Sequence, residues 1–203
     1  MKQDREYRNM EMRFLEDSDC IVEGYASTFE PYKIFENDGV DYYERIEPTA
    51  FDEADLSDVV FRVDHTGSVY ARSSADTVQV WTDAHGLATR ADLGRTQRAR
   101  DLFADIEAGN YPQMSFAFVV AEDGDYFDRK THTRVITRIA KVFDVSPVSF
   151  PANPNTELSV STRDYFDGVI EAEKAERLER EERELKKRKL KMLMEVKTWN
   201  SQA

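Results

Sequence analysis

The segment Met114-Ser115-Phe116-Ala117-Phe118-Val119-Val120 constrains the chain more than any other. It follows a turn at Gly109-Asn110-Tyr111-Pro112, and its apolar side chains occupy successive positions instead of alternate ones. A strand covered on both faces reads this way, whereas a strand with one wet face alternates. One hydroxyl, Ser115, stands near the start of the run. Such a serine is either a small residue hydrogen-bonded into the sheet or a nucleophile aimed by rigid surroundings. Most strand serines are merely packed, so the decision has to come from elsewhere in the chain.

Short strand patterns recur on either side. Residues 10–29 alternate as two strands, with Met12 and Phe14, then Ile21, Tyr25 and Phe29. Glu36-Asn37-Asp38-Gly39 reads as a turn needing positive φ, and Tyr42 to Ile46 as a short strand ended by Pro48. Thr49 is placed to cap a helical turn that runs through Asp52 and Glu53. Ser57 to His65 reads as a strand giving way to a turn at Asp64-His65-Thr66-Gly67. A hairpin is expected over 77–91 through Asp83-Ala84-His85-Gly86. Thr96 can cap a helix to about Ala108, with Ala99, Leu102, Phe103 and Ile106 as its buried stripe and Gly109 as its stop. A long strand is expected from Thr133 to Asp144, then a proline-rich edge strand or loop over 145–155. Many short strands with one or two helices make an α+β fold, mainly a β-barrel flanked by helices.

Charge divides the chain in two. Residues 165–203 hold nine acidic and ten basic side chains, whereas residues 1–164 hold 31 acidic against 18 basic. We therefore expect a body at 1–164 and a separate charged helical tail at 165–203. From Phe166 to Lys197 there is no proline and one glycine, and opposite charges three and four residues apart support a solvated helix. Leu178, Leu185, Met192 and Trp199 fall at heptad spacing, but the second core position is mostly charged, unlike that of a true coiled coil. An acidic body argues against nucleic acid as a partner. No run reaches the length of a membrane span, the N-terminus lacks a signal-peptide core, and Cys20 is alone. An intracellular protein with no membrane partner is expected.

A serine becomes a nucleophile when an imidazole takes its proton and a third group holds that imidazole. Of the three histidines, His85 lies in a hairpin turn and His132 in Lys130-Thr131-His132-Thr133, both positions that read as solvated. His65 follows a strand with apolar residues on both faces. Asp144, in Lys141-Val142-Phe143-Asp144-Val145-Ser146, is a carboxylate in an apolar stretch and so requires a partner.

These stretches, continued through Val145 to Pro154 and joined by Gly24-Tyr25-Ala26-Ser27-Thr28-Phe29 and Glu47-Pro48-Thr49-Ala50-Phe51, resemble the prohead proteases of tailed phages, of the Hong Kong 97 type. The resemblance covers about residues 10–160, with the motifs in that family's order, and extends to herpesvirus assemblins. It implies the assemblin-like barrel. It also implies a serine endopeptidase that cleaves scaffold and major capsid proteins, and itself, inside the immature prohead in the host cytoplasm. Ser115 would be the nucleophile, His65 the base and Asp144 the residue that orients it, with no cofactor and no metal. Asp64, next to the base, is the other carboxylate to consider for the third role. A homodimer or higher oligomer is left open. Assemblins carry an arginine pair after the third residue to hold the oxyanion, and Phe150 to Asn153 here has none. Backbone N–H groups or a water would have to serve. Two rivals remain: a non-catalytic assembly factor that binds scaffold through its tail, and a metallohydrolase using His65, His85 and His132.

Overall fold

The computed structural model describes residues 6–14, 20–149 and 160–200. The chain divides into two compact units between Ser161 and Thr162. The first is dominated by strands: β1 (Glu6–Phe14), β2 (Ile21–Thr28), β3 (Tyr32–Asn37), β4 (Val40–Ile46), β5 (Val60–Arg62), β6 (Val69–Arg72), β7 (Val78–Thr82) and β8 (Gly86–Asp92). Helix α1 (Gln97–Glu107) follows, then β9 (Gln113–Val120), β10 (Asp125–Asp128), β11 (Thr133–Ile136) and β12 (Ile139–Val148). The second unit is built on helix α2 (Val160–Asn200).

The fold is mixed α+β, mostly strands with two helices, and among the described residues no closed barrel is found. Among the described residues the strands pair as two sheets: β6-β5-β12-β9-β1-β2-β8-β7, and β10-β11-β4-β3. What the sequence presented as one long strand from Thr133 to Asp144 is divided at Thr137 and Arg138. Both backbone N–H groups donate to the Gly124 carbonyl, at 2.8 and 3.0 Å, and Ala121 N–H donates to the Arg138 carbonyl at 3.0 Å. This break sends β11 into the four-stranded sheet, parallel to β4, and β12 into the eight-stranded one. Gly124 is required at the crossing, because a Cβ there would lie 2.4 Å from the Arg138 carbonyl oxygen.

Several local expectations hold. Thr96 Oγ1 accepts from Ala99 N–H, the buried face of α1 is Ala99, Leu102, Phe103 and Ile106, and Gly109 ends the helix at φ +80°. Asp38 and Gly39, both at positive φ, form the two-residue turn between β3 and β4. Others change. The turn at Pro48–Phe51 is 3₁₀ and starts after Glu47 with no side-chain cap, since Pro48 itself suits a first helical position. The strand read over 57–65 shrinks to β5: the Asp55 carboxylate folds Ser57 back on one side, and left-handed backbone begins at Asp64 on the other. The segment from Phe150 to Asn155 lies outside the described residues.

The two faces of β9 do different things. Met114, Phe116 and Phe118 enter the hydrophobic core with Ile139, Val142 and Val145 of β12 and Phe61 of β5. Phe116 stacks on Phe118 at 4.6 Å and meets Phe51 at 6.2 Å. Ser115 and Ala117, also fully buried, point to the opposite face. Truncating Phe116 to Ala should lower unfolding stability by about 3–5 kcal/mol in urea or guanidinium titrations, as for other buried aromatics.

Candidate active site

Three segments distant in sequence meet on that opposite face. β9 and β12 run antiparallel with Ser115 directly across from Ser146, and Ala117 across from Asp144. Cross-strand partners share a face, and so do residues two apart on one strand, so the three polar groups Ser115, Asp144 and Ser146 form one patch. β5 pairs in parallel with β12 on its other side, with Val60 against Asp144 and Phe61 against Val145. The chain leaving β5 therefore turns over the patch and delivers His65 to it.

His65 Nδ1 lies 2.6 Å from Asp144 Oδ1, and His65 Nε2 lies 2.7 Å from Ser115 Oγ. A carboxylate can only accept, so Nδ1 carries the proton towards Asp144; in the neutral ring, Nε2 then accepts from the Ser115 hydroxyl. Ser146 Oγ donates to the same Asp144 oxygen at 2.8 Å. Ser115, Asp144 and Ser146 are buried, whereas the His65 side chain keeps 16% of its surface exposed, so the imidazole is where this group meets solvent.

The His65 turn is held by bonds that reach into neighbouring strands. Asp64 and His65 both sit in the left-handed region, at φ 45° and 54°, which is uncommon for residues other than glycine. Asp64 N–H donates to the Pro147 carbonyl at 3.1 Å, and the Asp64 carboxylate accepts from Ser149 N–H at 3.0 Å and from Ser149 Oγ–H. Arg62 donates to the Thr66 and Gly67 carbonyls at 3.3 and 2.8 Å. Asp64 is thus the bracket that ties the turn to the end of β12, and Asp144 is the carboxylate at the imidazole.

The remaining histidines are placed apart. His85 is exposed and edges against Tyr25 at 4.5 Å. His132, read as solvated, is half-buried against Tyr42 and Phe127, because the turn before β11 folds it onto an aromatic cluster. Among the described residues no group of three or more His, Cys, Asp or Glu side chains is arranged to hold a metal ion, and no helix is long and apolar enough to cross a membrane.

The caudovirus prohead serine protease family matches the chain over residues 7–168. The chain belongs to that family. No curated protein and no solved structure gives a significant match. Membership makes the protein a serine peptidase of phage capsid maturation at the level of the family. Within it, Ser146 is a residue whose part at the site was not expected from the sequence, and Asp64, considered for the third role, instead bonds to Ser149 and Pro147. Ser146 carried a signal, since a buried carboxylate needs donors and the hydroxyl two residues on shares its face.

The hairpin that carries His65 is clamped at its base by Arg72, which donates to both oxygens of Asp58 at 2.7 and 2.5 Å. Those bonds, with a further one from Ser74, hold the Asp58 pKa down to about 2. A carboxyl depressed on folding contributes stability above its unfolded pKa and loses it as pH falls through the folded one. Asp58→Asn should therefore lower Tm slightly at neutral pH, the pair being exposed. The difference from wild type should vanish between about pH 4 and pH 2 in thermal scans.

Proposed function

We propose that the protein is a serine endopeptidase with Ser115 as nucleophile, His65 as general base and acid, and Asp144 as the group that orients and charge-balances the imidazole. Its substrates are scaffold and major capsid proteins, and its own chain, inside the immature prohead in the host cytoplasm. The observation that supports this reading is the unbroken line of two short hydrogen bonds from Ser115 through His65 to Asp144. As Ser115 Oγ attacks the scissile carbonyl carbon, its proton passes to His65 Nε2. The imidazolium that forms faces the Asp144 carboxylate, and it returns the proton to the leaving amine as the peptide bond breaks. Water, deprotonated by the same nitrogen, then frees the acyl group from Ser115. Phe150 to Asn153, where the resemblance to assemblins would place the oxyanion-holding arginines, lies outside the described residues.

Ser115→Ala and His65→Ala should each reduce cleavage by roughly 10⁶-fold, and the double variant no further, because such residues act as a unit. Asp144→Asn should retain more activity, with a loss of roughly 10⁴-fold. Co-expression with scaffold and capsid proteins, with fragments read by mass spectrometry, measures all of these. Unchanged processing by Ser115→Ala would favour the non-catalytic assembly factor, and inhibition by a chelator would favour a metal mechanism.

The body at 1–164 carries the chemistry in this reading and the tail at 165–203 takes no part in it. Thr162 and Phe166 are buried, whereas nearly every described side chain from Glu171 onward is exposed. Truncation after Ile170 should thus leave the rate of peptide cleavage unchanged; loss of both Tm and activity would assign the helix to the catalytic unit.

A further inference from the structure

Leu178, Leu185 and Met192 stand seven residues apart on α2 and are 59%, 54% and 65% exposed. They form one apolar line about 21 Å long at the helical rise. Leu190 and Met194 are exposed off this line, and a line of this kind on a mostly charged helix is a seam for one partner helix. The charges on either side of it identify that partner.

Charge changes sign at the middle of the line. The residues before Leu185, 171–184, hold seven glutamates against four basic side chains; the residues after it, 186–192, hold five cations and no acid. The three apolar residues are themselves symmetric about Leu185, since Leu178 and Met192 are each seven residues away. The positions three and four before Leu185 are Glu182 and Glu181, and those three and four after it are Arg188 and Lys189. Charge inverts one, three, four and six residues from Leu185, though not at two, where Arg183 and Lys187 are both cations, and the seam side of the helix is so complementary to itself when turned end for end.

We propose that α2 pairs with α2 of a second copy of this chain in an antiparallel arrangement centred on Leu185. Leu178 of each copy then meets Met192 of the other, and Leu185 meets Leu185. The second core position, which is charged and so forbids an ordinary coiled coil, is satisfied by the same geometry: Glu181 of one copy comes opposite Lys189 of the other. Glu182 comes opposite Arg188 in the same way. A parallel pair would set Glu181 beside Glu181 and Arg188 beside Arg188, which is destabilising. Ion pairs within the helix engage Glu179, Glu182, Glu184, Arg183, Lys186 and Lys187. Among the described residues Glu181 and Lys189 make none. With only three apolar contacts per helix the association is weak, and because its direction is set by exposed charges it weakens with salt.

Directional cross-linking of the full-length chain tests this. In a Cys20→Ser background, Leu178→Cys and Met192→Cys chains are prepared separately, mixed, and oxidised gently. The antiparallel pair yields the mixed 178–192 disulfide, with few 178–178 or 192–192 products. In sedimentation, Glu181→Lys with Glu182→Lys should raise the concentration needed for self-association by at least about tenfold, and added Arg188→Glu with Lys189→Glu should restore it. Circular dichroism verifies that each variant keeps its helix. Dominant 178–178 and 192–192 products would overturn the arrangement. A chain that stays monomeric alone at its highest soluble concentration would overturn the self-pairing and leave the seam to a different partner helix.

Discussion

The pairing of β9 with β12 is the interaction on which the rest depends. Its register sets Ser115 across from Ser146 and Ala117 across from Asp144 on one face, while Phe116, Phe118, Val142 and Val145 fill the core on the other. Side chains alternate with a period of two, so a slip by one residue would bring Ser115 into the core and Phe116 to the imidazole. The core residues are therefore also what fixes the polar patch. The irregularities in the ladder, between Ile139 and Lys141 and between Val142 and Asp144, give β12 a local change of phase while it stays paired with β9.

Burying a carboxylate in such a sheet is costly unless its oxygens are hydrogen-bonded. Asp144 receives two donors, the His65 ring and the Ser146 hydroxyl, on the same oxygen. Both are themselves held: Ser146 by the strand, and His65 by a turn that Asp64 bolts to Ser149 and Pro147 at the end of β12. The unusual backbone at Asp64 and His65 persists because these bonds over-determine it. In the four-stranded sheet a different network plays the corresponding part, with buried Glu44 and Arg134 joined at 3.2 Å and Tyr32 donating to Glu44.

What could be read in advance follows from how local each signal is. The helix from Thr96 to Gly109 carries its cap, stripe and stop within a few residues, and it was legible to the residue. The turn at Asp38-Gly39 and the strand after Tyr111 were legible for the same reason. The break at Thr137 was not, because its cause is the carbonyl of Gly124, brought near by a hairpin whose strands carry little apolar pattern. At the candidate site, the residues named from motifs come within bonding distance of one another. The roles of Ser146 and Asp64 stayed hidden, because they depend on which strands are neighbours. The Glu44 and Arg134 pair was illegible for a related reason: charged residues on short strands look like solvent-facing positions until a second layer is known.

The imidazole draws on partners that are far away along the chain, 50 residues on to Ser115 and 79 residues on to Asp144. Its supporting bracket ends later still, at Ser149. No fragment that stops short of β12 has the means to orient His65. On the proposed assignment, a chain still lacking those last strands has no oriented base, however well the earlier hairpins have formed. In the proposed mechanism, chemical competence depends on the strand bearing Asp144 being seated between β5 and β9, so chain order itself sets when that site can form.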